Sequence, residues 1–164
     1  MKKPPCVNIV IRPAQPWDIP RMSELLAELF SIESDFTPNG EKQAQGLGAL
    51  IADLSGRTLV LVAVNDAMVI GMATVQTLIS TAEGGRVGLI EDVVVDKKHC
   101  RMGIGTLLLQ EIVDWSRKAR LKRLQLLADF DNRPALDFYS SQRWISTRLA
   151  CMRLLIYEER RKNN

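Results

Sequence analysis

The chain has 164 residues, 46% of them hydrophobic and 25% charged, with a formal net charge of +3. That length and apolar share suit one domain with a real core, and no second domain is expected. The mild basic excess and an aromatic share of 5% argue against a nucleic-acid module, which would want interleaved aromatics or a known fold motif.

In chain order, Val7 to Arg12 alternates as a strand. Pro16 to Phe30 is an amphipathic helix with Ile19, Met22, Leu25, Leu26 and Leu29 on one face. Glu41 to Leu54 reads as a second helix closed by Gly56. Thr58 to Val64 and Met68 to Thr81 read as strands joined at Asn65-Asp66, with Gly84-Gly85 ending the hairpin arm. A strand from Val87 to Val95 follows, then a helix from Gly103 to Ala119, a strand from Arg123 to Ala128, a helix from Pro134 to Ser141 and a last strand from Trp144 to Tyr157. The order is mixed α/β, a meander followed by a crossover. The domain is read as residues 7–157, between a tail of residues 1–6 and a basic tail of residues 158–164.

The segment from Glu91 to Thr106 carries the densest chemistry. A β-branched run ends at Asp96-Lys97-Lys98-His99, and Cys100-Arg101-Met102-Gly103-Ile104-Gly105 then opens a helix. A helix N-terminus has free N–H groups and a partial positive charge, so phosphates bind there when no side chain blocks the approach. Gly103 and Gly105 leave the approach open and Arg101 adds a cation. A tight turn whose glycines serve only backbone geometry is the competing reading. The dinucleotide fingerprint needs a third glycine and the Walker loop a Gly-Lys-Ser/Thr, and both are missing here.

Glu91 and Asp92 are adjacent carboxylates. On a strand they point to opposite faces, so one enters a given cleft while the other faces another layer or makes a structural bond. Further on, Asn132 in Asp131-Asn132-Arg133-Pro134-Ala135-Leu136-Asp137-Phe138-Tyr139 reads as a helix N-cap.

These motifs together resemble the GCN5-related N-acetyltransferases, which move an acetyl group from acetyl-CoA to an amine, and the resemblance covers nearly the whole chain. Cys100 to Gly105 matches the family's Gln/Arg-x-x-Gly-x-Gly/Ala loop except that Cys100 replaces Gln or Arg. Asn132 to Tyr139 matches Asn-x-x-Ala-x-x-Phe-Tyr, and Arg143-Trp144 keeps the following aromatic without its glycine. The resemblance implies a single-domain fold with a mixed, mostly antiparallel sheet of six or seven strands flanked by about four helices. It implies that Val93 and Val95 pair with the pantetheine arm and that Arg101, Met102, Gly103, Ile104, Gly105 and Thr106 hold the pyrophosphate. Asn132 would bond the pantetheine, and a backbone N–H of Val93 or Val94 at a bulge would stabilise the oxyanion. Tyr139 is assigned as the acid that protonates the departing thiolate, ring packing being its structural alternative. Glu91 is chosen as base or water-holder, with simple binding of the substrate ammonium as the other reading.

The acceptor is expected to be a small cationic amine. Phe30, Glu33, Asp35 and Phe36, with Glu28 nearby, would line an acidic aromatic pocket, or else form a solvated loop. A non-catalytic acetyl-CoA sensor is the alternative function, and no metal is expected.

Cys6, Cys100 and Cys151 lack metal-ligand spacing, and their odd count argues for reduced thiols. The only histidine, His99, reads as an exposed loop residue. Apolar runs such as Leu59 to Val64 are too short to cross a bilayer, and Met1-Lys2-Lys3 leads into Pro4-Pro5 rather than an apolar signal core, so a cytoplasmic protein is expected with no membrane or nucleic-acid partner. Leu154, Leu155 and Ile156 give the last strand two apolar faces, which predicts either a homodimer or burial within one subunit.

Overall fold

The computed structural model describes residues 8–156. Five strands form one sheet in the order β1 to β5: β1 Ile9–Pro13, β2 Thr58–Asn65, β3 Met68–Ser80, β4 Gly85–Val95 and β5 Leu124–Leu126. The first four pair antiparallel and β5 joins β4 in parallel. The helices are α1 Ile19–Phe30, α2 Gly40–Ile51, α3 Ile104–Lys118 and α4 Arg133–Ser141.

Each boundary has a local cause. Asp18, itself buried, takes two bonds from the Arg12 guanidinium at 2.7 and 2.9 Å and one from the Gln15 N–H at 2.8 Å. Those contacts fasten the end of β1 to the start of α1, and Pro20 then sits in the first turn, where its missing N–H costs nothing. Asn39 caps α2 by accepting the Lys42 N–H. The β2–β3 hairpin turns on Asp66 and Ala67, both at positive φ (46° and 66°), the pattern of a two-residue primed turn made here without glycine.

The sheet separates two apolar layers. Met22, Leu25 and Leu26 of α1 and Leu47 of α2 pack on Val60, Val62, Met72 and Val94. Ile104, Leu108, Leu109 and Ile112 of α3 pack on Leu61, Ala63, Ala73, Val75 and Ile90 from the opposite face. Phe138 and Tyr139 of α4 lean against this second layer.

Three expectations are corrected. The described residues hold five strands rather than six or seven. The last strand, expected over Trp144 to Tyr157, does not form: residues 144–156 enter no strand, because strand-forming side chains still need a sheet edge to pair with, and none is engaged. Tyr157 lies outside the described residues, as do Val7 and both expected tails. The second helix stops at Ile51, three residues short of Leu54, where Asp53 instead accepts bonds from Ser55 and Thr58. No helix among the described residues is long and apolar enough to cross a membrane.

Candidate active site

Two irregularities in β4 make the site. The register to β3 slips between Ala73, opposite Val93, and Val75, opposite Ile90, so Glu91 and Asp92 together face the single residue Thr74. That is a β-bulge. The pairing of β4 with β5 also stops at Ile90 opposite Leu126. Beyond that point β4 has, among the described residues, a partner on one side only, and the two strands part to leave a cleft.

The cleft is lined by Leu29 and Glu33 from α1 and the loop after it, by Ile90, Glu91 and Val93, by Leu126 to Asp129 at the end of β5, and by Asn132, Ala135 and Tyr139. Glu91 lines the cleft, whereas Asp92 makes a structural bond to the buried Thr74. Ile90 and Val93 both belong to the α3 layer while Val94 belongs to the α1–α2 layer, so strict alternation is broken between them. The charges of both Glu91 and Asp92 consequently act on Glu33.

Asp92 is partly buried and tied to β3. The Thr74 hydroxyl donates to its carboxylate at 2.9 Å and accepts its N–H at 3.2 Å. Burial raises the Asp92 carboxyl to about 6, the Thr74 bond works against that, and the Glu91 charge adds to it. Glu33 is raised by burial first and then by Asp92, Asp129, Asp35 and Glu91. Asp129 is held down chiefly by the N–H groups of Asp131 and Ser34, the second of which ties the loop after α1 to the end of β5. Tyr139 is raised to about 12, by burial and then by the charges of Glu33 and Asp92, so its hydroxyl keeps its proton at neutral pH. Its ring is fixed between Phe138 at 5.3 Å and Trp144 at 6.0 Å between centroids.

Beside the cleft, α3 is preceded by Gly103, whose φ of 79° favours glycine and which supplies no side-chain cap. Arg101 is also left-handed, at φ 62°, and Arg101, Met102 and Gly103 are exposed. The result is a concave turn leading to uncapped helix N–H groups, a nest suited to an anion. A Cβ on Gly103 would meet nothing within 4 Å, so the approach is open, whereas one on Gly105 would lie 3.0 Å from Cζ of Phe138.

The family model described as the acetyltransferase (GNAT) family matches residues 19–143. The chain belongs to the GNAT acetyltransferase family. No curated protein sequence matches it. Among solved structures, a protein described as a transcriptional regulator from Bacillus halodurans C-125 is 19% identical with a TM-score of 0.79, over 90% of this chain and 100% of that one. An aminoglycoside acetyltransferase from an uncultured soil metagenomic sample is 21% identical with a TM-score of 0.70, over 92% and 97%. The glucosamine-6-phosphate N-acetyltransferase of Arabidopsis thaliana is 16% identical with a TM-score of 0.72, over 91% and 99%. At these identities the likeness is one of fold.

GNAT enzymes use acetyl-CoA as cosubstrate, and the residues here fit that molecule. The nest at Arg101 to Gly103 with the N–H groups of Ile104, Gly105 and Thr106 suits a pyrophosphate, and the β4 edge past Ile90, at Val93 and Val95, is open to an amide-bearing arm. Ile104 is buried, so only its backbone is available there. Val94 is likewise buried, in the α1–α2 layer. Asn132 does cap α4, accepting the Ala135 N–H at 3.2 Å while lining the cleft. Cys100, where the family has Gln or Arg, turns its thiol back to the carbonyls of Asp96 and Val95 at 3.5 and 3.8 Å and so closes the end of β4.

Of the four residues expected to line the acceptor pocket, Glu33 enters the cleft. Phe30 stacks on Phe36 at 5.1 Å, and Phe36 and Asp35 are engaged by Arg153, whose guanidinium lies 4.6 Å from the Phe36 ring centre and 3.9 Å from the Asp35 carboxylate. His99 is half-buried rather than exposed, with Nδ1 3.2 Å from Asp96 Oδ1. Asp129 is the cleft residue that the sequence reading missed; its signal was the acidic Asp129-Phe130-Asp131 run before Asn132.

Proposed function

We propose that this protein transfers the acetyl group of acetyl-CoA to the primary amine of a small cationic acceptor, by direct attack with both substrates bound. The observation that carries this reading is the gathering of Glu33, Glu91 and Asp129 with Tyr139 in the split between β4 and β5, with Asp92 behind them close enough for its charge to act on Glu33 and Tyr139. Several carboxylates in a partly desolvated cleft attract an ammonium ion and orient it. Direct transfer is favoured because the cleft lining, among the described residues, offers no thiol or serine hydroxyl to carry an acyl group.

When bound, acetyl-CoA supplies the acetyl group as an activated thioester. The ammonium must give up a proton before its nitrogen can attack, and Glu91 takes that proton directly or through water. Asp92, raised to about 6, is a stronger base than an ordinary carboxylate and supports Glu91 from the same bulge. A backbone N–H at the bulge, from Val93 or Val94, answers the charge developing on oxygen, the Asp92 N–H being committed to Thr74. Tyr139 presents its phenolic proton to the departing sulfur. At about 12 it acts as a hydrogen-bond donor through bond cleavage rather than as a strong acid. The exposed Cys100 and Cys151 suit a reducing cytoplasm.

The test is thiol release from acetyl-CoA across polyamines, aminosugars, amino acids, aminophosphonates and peptides. Turnover on cationic amines is expected. Saturable acetyl-CoA binding without turnover on any amine would instead indicate a sensor, and absent binding would overturn the reading.

A further inference from the structure

The turn at Arg101 to Gly103 places two residues in the left-handed region, and Gly103 brings no side chain to hold the helix start in place. What holds the turn lies upstream at Asp96, where β4 leaves the sheet. The Asp96 N–H still reaches β3, donating to the Ile70 carbonyl at 2.8 Å. Past that bond the chain winds about this one residue. Oδ1 of its carboxylate accepts the Lys98 N–H at 2.8 Å and lies 3.2 Å from Nδ1 of His99, capping the single helical turn Lys97–His99. Its carbonyl accepts the His99 N–H at 2.9 Å and the Cys100 thiol at 3.5 Å. Arg101 follows directly.

The carboxylate is itself fixed from the other layer. Oδ2 accepts a bond from the Arg21 guanidinium, which also donates to the Val69 carbonyl of β3 at 3.2 Å and to Glu24 at 2.7 Å. Arg21 stands on α1 beside Met22, whose side chain is fully buried, so the guanidinium projects from a helix whose movement would disturb the core. Exposed ion pairs on a solvated surface hold little in place. This carboxylate is only 13% exposed and serves a backbone N–H as well as the guanidinium.

We infer that Asp96, anchored by Arg21, is a positioning residue for acetyl-CoA: it keeps the Arg101 to Gly103 turn in the shape that receives the pyrophosphate, while touching neither substrate. The inference rests on the reading of that turn as the pyrophosphate site. A ligand that needs one loop shape binds more weakly as the fraction of molecules holding that shape falls. Loss of the cap and the ion pair lowers that fraction, so the effect falls on acetyl-CoA affinity and not on the chemical step.

The test compares acetyl-CoA with S-acetylpantetheine, which carries the same thioester and arm but no pyrophosphate. Asp96→Ala should raise KM for acetyl-CoA about tenfold, with kcat within about twofold of the parent. Its kcat/KM on S-acetylpantetheine should stay within about twofold, because the turn has no pyrophosphate to hold there. Asp96→Asn should recover most of the loss, since its amide oxygen still caps the turn, and Arg21→Gln should raise KM for acetyl-CoA about threefold. The pair overlooks an open hollow of about 580 Å³, lined also by Glu28, Met68 and Lys97, so water replaces a lost partner and the variants should fold. If Asp96→Ala does not fold, Arg21→Gln carries the same comparison. A KM for acetyl-CoA equal to the parent's overturns the inference, and so does an equal loss on S-acetylpantetheine, the mark of a general disturbance of β4. Either result leaves acetyl transfer by the parent standing. A parent that neither binds nor turns over acetyl-CoA overturns that reading and this inference together.

Discussion

The Thr74 hydroxyl both accepts the Asp92 N–H and donates to the Asp92 carboxylate, at 3.2 and 2.9 Å, so one side chain on β3 fastens both ends of the bulged residue on β4. Thr74 is fully buried, and without it the bulge would leave a donor and a carboxylate unpaired. Thr74→Val keeps the shape and removes the hydroxyl. The expected cost is about 1–3 kcal/mol in denaturant unfolding. The Asp92 carboxyl should also rise further, because the Thr74 bond is what opposes burial there. The acid limb of the rate profile should move to higher pH with it.

Asp92 itself makes stability depend on pH in a defined direction. Its folded value of about 6 lies above its ordinary 3.8, so the folded protein binds the proton more tightly. Its contribution is therefore fully present below pH 3.8 and lost as pH rises through about 6. The gap in unfolding free energy between the parent and Asp92→Asn should shrink by at most about 3 kcal/mol from pH 4 to pH 7. Urea titrations of both proteins at the two pH values check this, and a constant gap contradicts it.

Gly105 couples the turn at Arg101 to Gly103 to α4. Alanine there would place Cβ 3.0 Å from Cζ of Phe138, which neighbours Tyr139 on α4, so that ring must give by a few tenths of an ångström beside Tyr139. Gly105→Ala should cost about 1–3 kcal/mol of stability. It should also lower kcat roughly tenfold, since small displacements of a positioned group are expensive in rate. Gly103→Ala, in open space at φ 79°, should lose only about 1–2 kcal/mol from backbone strain.

Glu33 should matter for the acceptor and not for acetyl-CoA. It enters the cleft from the loop after α1 and shares the field of Glu91, Asp92 and Asp129. Glu33→Gln is expected to raise KM for a cationic amine about tenfold, equivalent to about 1.4 kcal/mol. KM for acetyl-CoA should stay within about twofold, and the difference should narrow as salt screens the remaining charges. Steady-state kinetics at two ionic strengths measures both.

The parts of the site encoded locally were readable in the sequence. Gly103, Gly105 and the apolar spacing of Ile104, Leu108 and Ile112 specify a glycine loop opening a helix within a dozen residues, and Asn132 is a cap by its own chemistry. What depends on distant partners was not. The bulge is a mismatch between Glu91-Asp92 and Thr74, 18 residues away for the Asp92 bond, and nothing in β4 alone announces it. Glu33 was a candidate, but its approach to Asp129 rests on a contact between residues 95 apart. Residues 144–156 have strand-forming side chains without a strand because pairing is a property of two segments, and only one was in view.

The central claim is that Tyr139 presents its proton where the thiolate departs, and the most direct measurement is kcat and KM for Tyr139→Phe beside the parent, on the best amine of the panel. Phenylalanine keeps the ring between Phe138 and Trp144, so folding should be retained. The account predicts a kcat lower by about 100-fold, with KM for acetyl-CoA within about twofold of the parent. An unchanged kcat in a folded variant would contradict it.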